Sequence, residues 1–320
     1  MTSFPHYNQV HLVQKKDDTW RFCIDFRGLN DAIKSHGWRI PNIKNLLQKL
    51  GEKRAHYFGK MDLTSGYFQA PIAAESRPFT SFVTDTGVYQ WTRVPMGIKC
   101  AGAYFQQQMQ FILDDLVENI CFLYLDDIVV FGRTEAEYLQ NVDAVLQRLQ
   151  QRNVYLSPKK CSFGMTEVEY VGHVVSAEGL TFSKEKINKV VNFPRPENQK
   201  SLRSFLGLTN YFRDNIEKYA DITAPLQSML VDYKKSRRLN WTTALLDSFN
   251  GIQRAIRDIQ MLYFLNDDDP IFLHTDASDH GIGAYLFQVV DGKERPIQFL
   301  SKTMNEVQQR WSTTEKECYY

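Results

Sequence analysis

The sequence predicts an α+β protein of more than one domain, and three observations carry that prediction. With 320 residues, 43% hydrophobic and 13% aromatic, the chain is long and apolar enough to bury more than one core. Segments of alternating period and segments of helical period follow one another without an internal repeat. Two short apolar runs that read as buried strands end in aspartate, at Asp62 and at Asp126.

Taken in order, Val10 to about Phe26 predicts a hairpin: Val10-His11-Leu12-Val13, a turn at Lys16-Asp17-Asp18, then strict alternation that sets Arg21, Cys23 and Asp25 on one face. Pro41 to Leu50 reads as a helix with proline in its first turn, closed by Gly51. Tyr57 to Leu63 is a strand, and Phe79 to Val94 holds two more about the turn Asp85-Thr86-Gly87. Ala101 to Leu116 is helical by period, and Glu137 to Gln151 carries Leu139, Val142, Val145, Leu146 and Leu149 on one face, as a helix over a sheet does. Val168 to Val175 gives a strand pair. From Ser183 to Leu230 the composition turns helical and basic, broken by Pro194 and Pro196. Asp232 to Arg238 is the linker candidate, Trp241 to Ile259 a further amphipathic helix, and strands resume at Ile271.

Composition excludes little. The net charge of +1 neither demands nor forbids a polyanionic partner, since local basic stripes steer nucleic acid whatever the total. The five cysteines, Cys23, Cys100, Cys121, Cys161 and Cys318, form no C-x-x-C pair, so neither a zinc site nor a disulfide framework is indicated and a reducing compartment fits. No apolar run approaches the roughly 18 residues of a membrane span, and Met1 to His6 lacks the features of a signal peptide. A soluble, cytoplasmic protein with no membrane partner is expected; oligomeric state is not legible.

The most informative segment is Cys121 to Gly132, where Asp126 and Asp127 sit between two apolar runs with no Gly or Pro to make an ordinary surface turn. Charge buried there is costly unless a cation compensates it, and a tandem carboxylate at a hairpin tip suits a hard metal. The other acidic tandems differ in context: Asp17-Asp18 and Asp267-Asp268-Asp269 read as solvated turns, and Asp114-Asp115 as the polar end of a helix. If the strands ending at Asp62 and Asp126 meet in one sheet, three carboxylates face two Mg²⁺ ions, with Mn²⁺ as an alternative. Phosphoryl or nucleotidyl transfer uses such a site.

Four motifs then occur in the order and spacing of reverse transcriptases: Lys60-Met-Asp62-Leu-Thr-Ser-Gly-Tyr67-Phe-Gln69, Val94-Pro95-Met96-Gly97 with Phe105-Gln106, Tyr124-Leu-Asp126-Asp127, and Tyr170-Val-Gly172-His173. From about Val10 to the last residue the chain resembles the gypsy-type retrotransposon Pol polyproteins. The resemblance implies a right-hand polymerase, with fingers and palm over 1–182 and thumb and connecting helices over 183–262. An RNase H-like α/β domain follows over 263–320, its N-terminal part only. It implies Asp62 and Asp126 as bridging metal ligands with Asp127 less direct, and Arg21 with Lys15 or Lys16 on the incoming triphosphate, where a guanidinium offers a bidentate fork. Tyr67 falls where a ring excludes a ribose 2′-hydroxyl. Tyr170, Gly172 and His173 resemble the primer grip, and Lys160 lies where a general acid serves the pyrophosphate. Met96 stands where retroviral members commonly have Gln, its contacts expected to be packing, and Gly102 stands in place of the usual Pro.

Phe272 to Phe287 resembles the first hairpin of an RNase H domain, with Asp276 as first metal ligand and Glu317 as the helix carboxylate. Glu315 instead completes a capping box with Ser312. Cleavage of RNA by this chain alone is not expected; Mg²⁺-dependent cleavage lost on Asp276→Asn would refute that. The implied partners are an RNA or DNA template with primer, dNTP, and a parent polyprotein, and the implied location is the cytoplasm, within a retroelement particle. Lys184, Lys186, Lys189 and Arg203 are expected to contact phosphates from the thumb. Two other readings stand beside the RNA-directed DNA polymerase: an inert retroelement remnant that binds nucleic acid, motivated by an incomplete start and end, and a two-metal nuclease.

Overall fold

A computed structural model describes residues 7–14, 18–34, 37–231, 239–278, 281–305 and 307–317, and divides the chain into two compact units, Met1–Val171 and Gly172–Tyr320. The first unit opens with the predicted hairpin, β1 (Gln9–Gln14) against β2 (Trp20–Asp25), antiparallel. Then come α1 (Arg27–Ala32), α2 (Ile43–Glu52), β3 (Tyr57–Asp62) and a hairpin of β4 (Phe82–Thr84) and β5 (Gly87–Tyr89). After α3 (Ala101–Leu113) follow β6 (Cys121–Tyr124), β7 (Asp127–Gly132), α4 (Glu135–Gln151), β8 (Ser162–Met165) and β9 (Glu167–Tyr170). Both ends of α2 and the end of α3 differ from expectation. The Asn42 side chain caps α2 by accepting from the Lys44 and Asn45 amides, so Pro41 lies outside the helix, while Gly51 is buried within its last turn. Helix α3 stops at Leu113, where a 3₁₀ turn over Asp114–Leu116 replaces its end.

The central sheet has the order β6-β7-β3-β8. Strand alternation splits its side chains between two faces. Met61, Cys121, Leu123, Ile128 and Val130 pack under α3 and α4 with Phe105, Met109, Leu113, Val145 and Leu149. The register Phe58↔Phe131, Lys60↔Val129, Asp62↔Asp127 puts the other set, carboxylates included, on the opposite face. Helix α4 comes very close to the sheet: a Cβ on Gly132 would stand 2.6 Å from the backbone nitrogen and Cα of Tyr138. Glycine there is a condition of the helix seating.

The second unit begins with β10 (His173–Ser176) and β11 (Gly179–Phe182), then α5 (Lys184–Val191), α6 (Gln199–Thr209), α7 (Tyr219–Val231) and α8 (Thr243–Arg257). Pro194 and Pro196 fall between α5 and α6, as their sequence positions require. Phe182, Val190, Leu202, Phe205, Phe212, Leu226, Phe249, Ile252 and Ile256 form the core these helices share. Strand β12 (Leu262–Tyr263) pairs with β11. A three-stranded antiparallel sheet of β13 (Ile271–Ala277), β14 (Gly281–Val290) and β15 (Lys293–Thr303) follows, and α9 (Thr313–Glu317) ends the described chain. The linker candidate, residues 232–238, lies outside the described residues.

Candidate active site

The Tyr124↔Asp127 pairing leaves Leu125 and Asp126 as the turn between β6 and β7. Leu125 has φ 54°, a left-handed conformation that a branched side chain adopts at a cost and that its surroundings must hold. The holder is Gln106, a fully buried residue of α3 whose Oε1 accepts the Leu125 N–H at 2.7 Å. The Gln106 Nε2 is buried with no hydrogen-bond partner among the described residues.

Asp62 and Asp127 stand directly opposite one another across β3 and β7, and Asp126 is the next residue along. Each of the paired aspartates meets a lysine: Lys60 Nζ lies 3.0 Å from Asp127 Oδ1, and Lys160 Nζ 3.1 Å from Asp62 Oδ1. Burial holds the Asp127 carboxyl above the usual carboxylate range; Lys60 pulls it down, and the charges of Asp126 and Asp62 push it up. The end of β3 is fixed by the segment before Lys160: Ser157 N–H donates to the Asp62 carbonyl at 2.8 Å, and the Gln69 amide donates to the carbonyls of Thr64 and Tyr155. A groove of about 530 Å³ runs beside these groups, lined by Lys60, Asp62, Lys160, Glu167 and Glu169 among others.

Tyr67 lies within the electrostatic reach of Asp126. Its ring packs on Phe105 at 5.0 Å, and burial first, then the negative charge of Asp126, raises its hydroxyl pKa. Met96, expected to pack, is 55% exposed in a loop that Asn30 clasps through the Gly97 carbonyl and the Lys99 amide. Arg21 is exposed on β2, and no hydrogen bond or ion pair joins it to the three aspartates among the described residues. Lys15 lies outside the described residues.

Tyr170 has no exposed surface, and burial, then the charge of Asp127, pushes its hydroxyl well above its ordinary pKa. In the second unit, Gly172 has φ 80°, and a Cβ there would collide with the Lys186 ammonium. Lys186 donates to the Tyr211 hydroxyl at 3.0 Å, which in turn lies 3.3 Å from His173 Nδ1. Of the predicted thumb cations, Lys186 is therefore engaged with Tyr211 and Lys189 with Glu185, while Lys184 and Arg203 are exposed.

Asp276, on β13, is ion-paired with Lys218 at 2.9 Å beside a cavity of about 140 Å³. Ser312 and Glu315 make the expected capping box, the Ser312 amide donating to Glu315 Oε2 at 2.8 Å and holding that carboxyl below its usual range. Only the backbone of Glu317 is described.

Carboxylate oxygens are the donors that hard divalent ions take. Ammonium groups already sit on two of the three carboxylates, where a cation is electrostatically favoured, so Asp62, Asp126 and Asp127 fit such an ion chemically. Among the described residues no three His, Cys, Asp or Glu side chains are yet arranged around one. Sequence reasoning gave no role to Lys60, Gln106 or Gln69. The signal for Lys60 is its period-2 spacing from Asp62; for Gln106 it is a polar residue on the inward face of an apolar helix.

Residues 13–175 match the family model described as reverse transcriptase (RNA-dependent DNA polymerase), and residues 241–319 match the RNase H-like domain found in reverse transcriptase. The retrovirus-related Pol polyprotein from transposon opus of Drosophila melanogaster is 33% identical over 98% of this chain and 32% of its own length. For the polyprotein from transposon 297 the values are 34%, 98% and 29%, and for the transposon Tf2-3 polyprotein of Schizosaccharomyces pombe 33%, 96% and 23%. The chain thus spans about a third or less of the curated relatives it matches. Among solved structures, the foamy viral protease-reverse transcriptase in complex with dsDNA has a TM-score of 0.85 at 25% identity, over 98% of this chain and 65% of that one. The same enzyme in complex with RNA/DNA hybrid gives 0.81 at 24%, over 98% and 42%. With the carboxylate hairpin, the fold and these matches in agreement, the chain belongs to the reverse transcriptase family and is similar to the retrotransposon Pol polyproteins.

Proposed function

We propose that this chain extends a primer 3′ end with dNTP on an RNA or DNA template. The observation that carries the reading is the register that sets Asp62 opposite Asp127 with Asp126 in the adjoining turn. Reverse transcriptases generally use divalent metal ions. Asp62 and Asp126 would hold two Mg²⁺, or Mn²⁺ in their place, with Asp127 the less direct partner. The ions would activate the 3′-hydroxyl and steady the triphosphate charge. Lys160, whose ammonium reaches Asp62 while its side chain is 65% exposed, would turn to a phosphate oxygen and hold a proton for the leaving pyrophosphate. Tyr67, between Phe105 and Asp126, supplies a wall where a ribose 2′-hydroxyl would project. Arg21 and Lys15 would bind the triphosphate and the Gly172-His173 turn the primer end.

The solved relatives are complexes with dsDNA and with RNA/DNA hybrid, which supports a template-primer as the partner here. The parent would be a polyprotein, working in the cytoplasm within a retroelement particle. The test is extension of a labelled DNA primer on an RNA template with Mg²⁺, comparing the parent chain with Asp126→Asn. Extension by the parent and its loss in a folded variant support the polymerase. Equal inertness with hybrid binding retained would replace the reading with that of a nucleic-acid-binding remnant, and Mg²⁺-dependent degradation of the template-primer without extension with that of a nuclease.

A further inference from the structure

We infer that Lys60 is a positioning residue that divides the three aspartates into an ion-binding pair, Asp62 and Asp126, and a reserved third, Asp127. The inference rests on the proposed ion site and explains how three neighbouring carboxylates come to play unequal parts.

The argument begins with register. Lys60 pairs with Val129 and Asp62 with Asp127, so Lys60 and Asp127 are diagonal neighbours on one sheet face, within reach of a long side chain. Lys60 Nζ sits 3.0 Å from Asp127 Oδ1, and the two side chains are only 26% and 25% exposed. The ion pair on Asp62 is different in kind, because its lysine, Lys160, is 65% exposed and free to swing into solvent. One lysine is thus built into the sheet and the other is displaceable.

The remaining groups facing Asp127 offer no substitute for Lys60. Asp62 and Asp126 are both negative, and the buried Tyr170 nearby has a hydroxyl that makes no hydrogen bond among the described residues. An arriving divalent ion displaces Lys160 from Asp62 readily, but it can recruit Asp127 only by breaking a half-buried charge-assisted hydrogen bond. Lys60 therefore keeps Asp127 out of the first coordination shell and leaves an open position for substrate oxygens.

The test measures Mn²⁺ binding by calorimetry and electron paramagnetic resonance, without nucleic acid, on the full chain. Lys60→Met should bind Mn²⁺ tighter by about tenfold, the scale on which partners of metal ligands act, and extend primers more slowly because the open position is filled. Lys60→Met/Asp127→Asn should return the affinity to the parent value, and Lys60→Arg should keep it. Unchanged Mn²⁺ affinity in a Lys60→Met protein with the parent's circular dichroism would overturn the inference, as would tight binding that persists in the double variant. Failure of the ion site itself is distinguishable: parent binding that Asp62→Asn does not weaken would show that the ion is not held at these aspartates at all.

Discussion

Replacing Gln106 by Met tests how the carboxylate turn is held. The buried side chain accepts the Leu125 N–H at 2.7 Å and leaves its own Nε2 without a partner among the described residues. Methionine of similar shape removes both. An orphaned Leu125 N–H costs about 1–3 kcal/mol, and eliminating an unsatisfied buried Nε2 returns a similar amount. The two nearly cancel, so the unfolding midpoint should shift by no more than about 3 °C. Activity has no such offset. Leu125 is held at φ 54° in the turn that carries Asp126, and relaxation of that turn by about 1 Å is enough to lower extension about a hundredfold. Single-nucleotide extension alongside thermal unfolding reads both quantities. A variant that extends at the parent rate, or one whose activity loss is matched by unfolding, would refute the claim that Gln106 positions the turn.

Three further outcomes follow from the same geometry. Tyr67→Val should lower the preference for dNTP over rNTP at least about tenfold in competition assays; lost stability with unchanged preference would mean that the ring serves only its packing on Phe105. Gly132→Ala should cost about 1–3 kcal/mol in denaturant unfolding, since the new Cβ meets Tyr138 backbone at 2.6 Å and backbone does not swing aside; an unchanged midpoint would contradict that. Because the Asp127 carboxyl titrates above its unfolded value of 3.8, the native state binds the extra proton, and this contribution to stability is full below that value and lost as pH rises through the native one. Measured against Asp127→Asn, which lacks this titration, the parent should therefore gain in unfolding temperature as pH falls from about 7 toward 4, and a parent that loses ground on acidification would reverse the sign of the argument.

Much of this was legible in the residues. The alternation of Trp20 to Asp25 and the apolar runs about Asp126 gave strands in place, because period 2 and β-branched residues report a pleated, half-buried surface directly. Both ends of α2 depart from the sequence expectation because Asn42, not Pro41, sets its start by satisfying the first amides, and because Gly51 lies buried in the last turn and does not close it. The burial of Tyr170 was not legible: a motif gives a residue its place in the chain, but which face of the strand it occupies depends on the sheet above it. The same limit hid Lys60: its partner Asp127 lies far along the sequence, and only the β3–β7 register brings them together. Lys186 was legible as a cation but not as the partner of Tyr211, which depends on the space left by Gly172.

The central claim is that Asp62 and Asp126 together hold the ions of nucleotidyl transfer. Anomalous diffraction at the manganese edge, from crystals of the chain with template-primer, dNTP and Mn²⁺, reads it most directly. Two Mn²⁺ peaks bridged by the carboxylates of Asp62 and Asp126 are the predicted result. Manganese bound elsewhere, or density showing Lys160 still on Asp62 beneath a bound nucleotide, would contradict it.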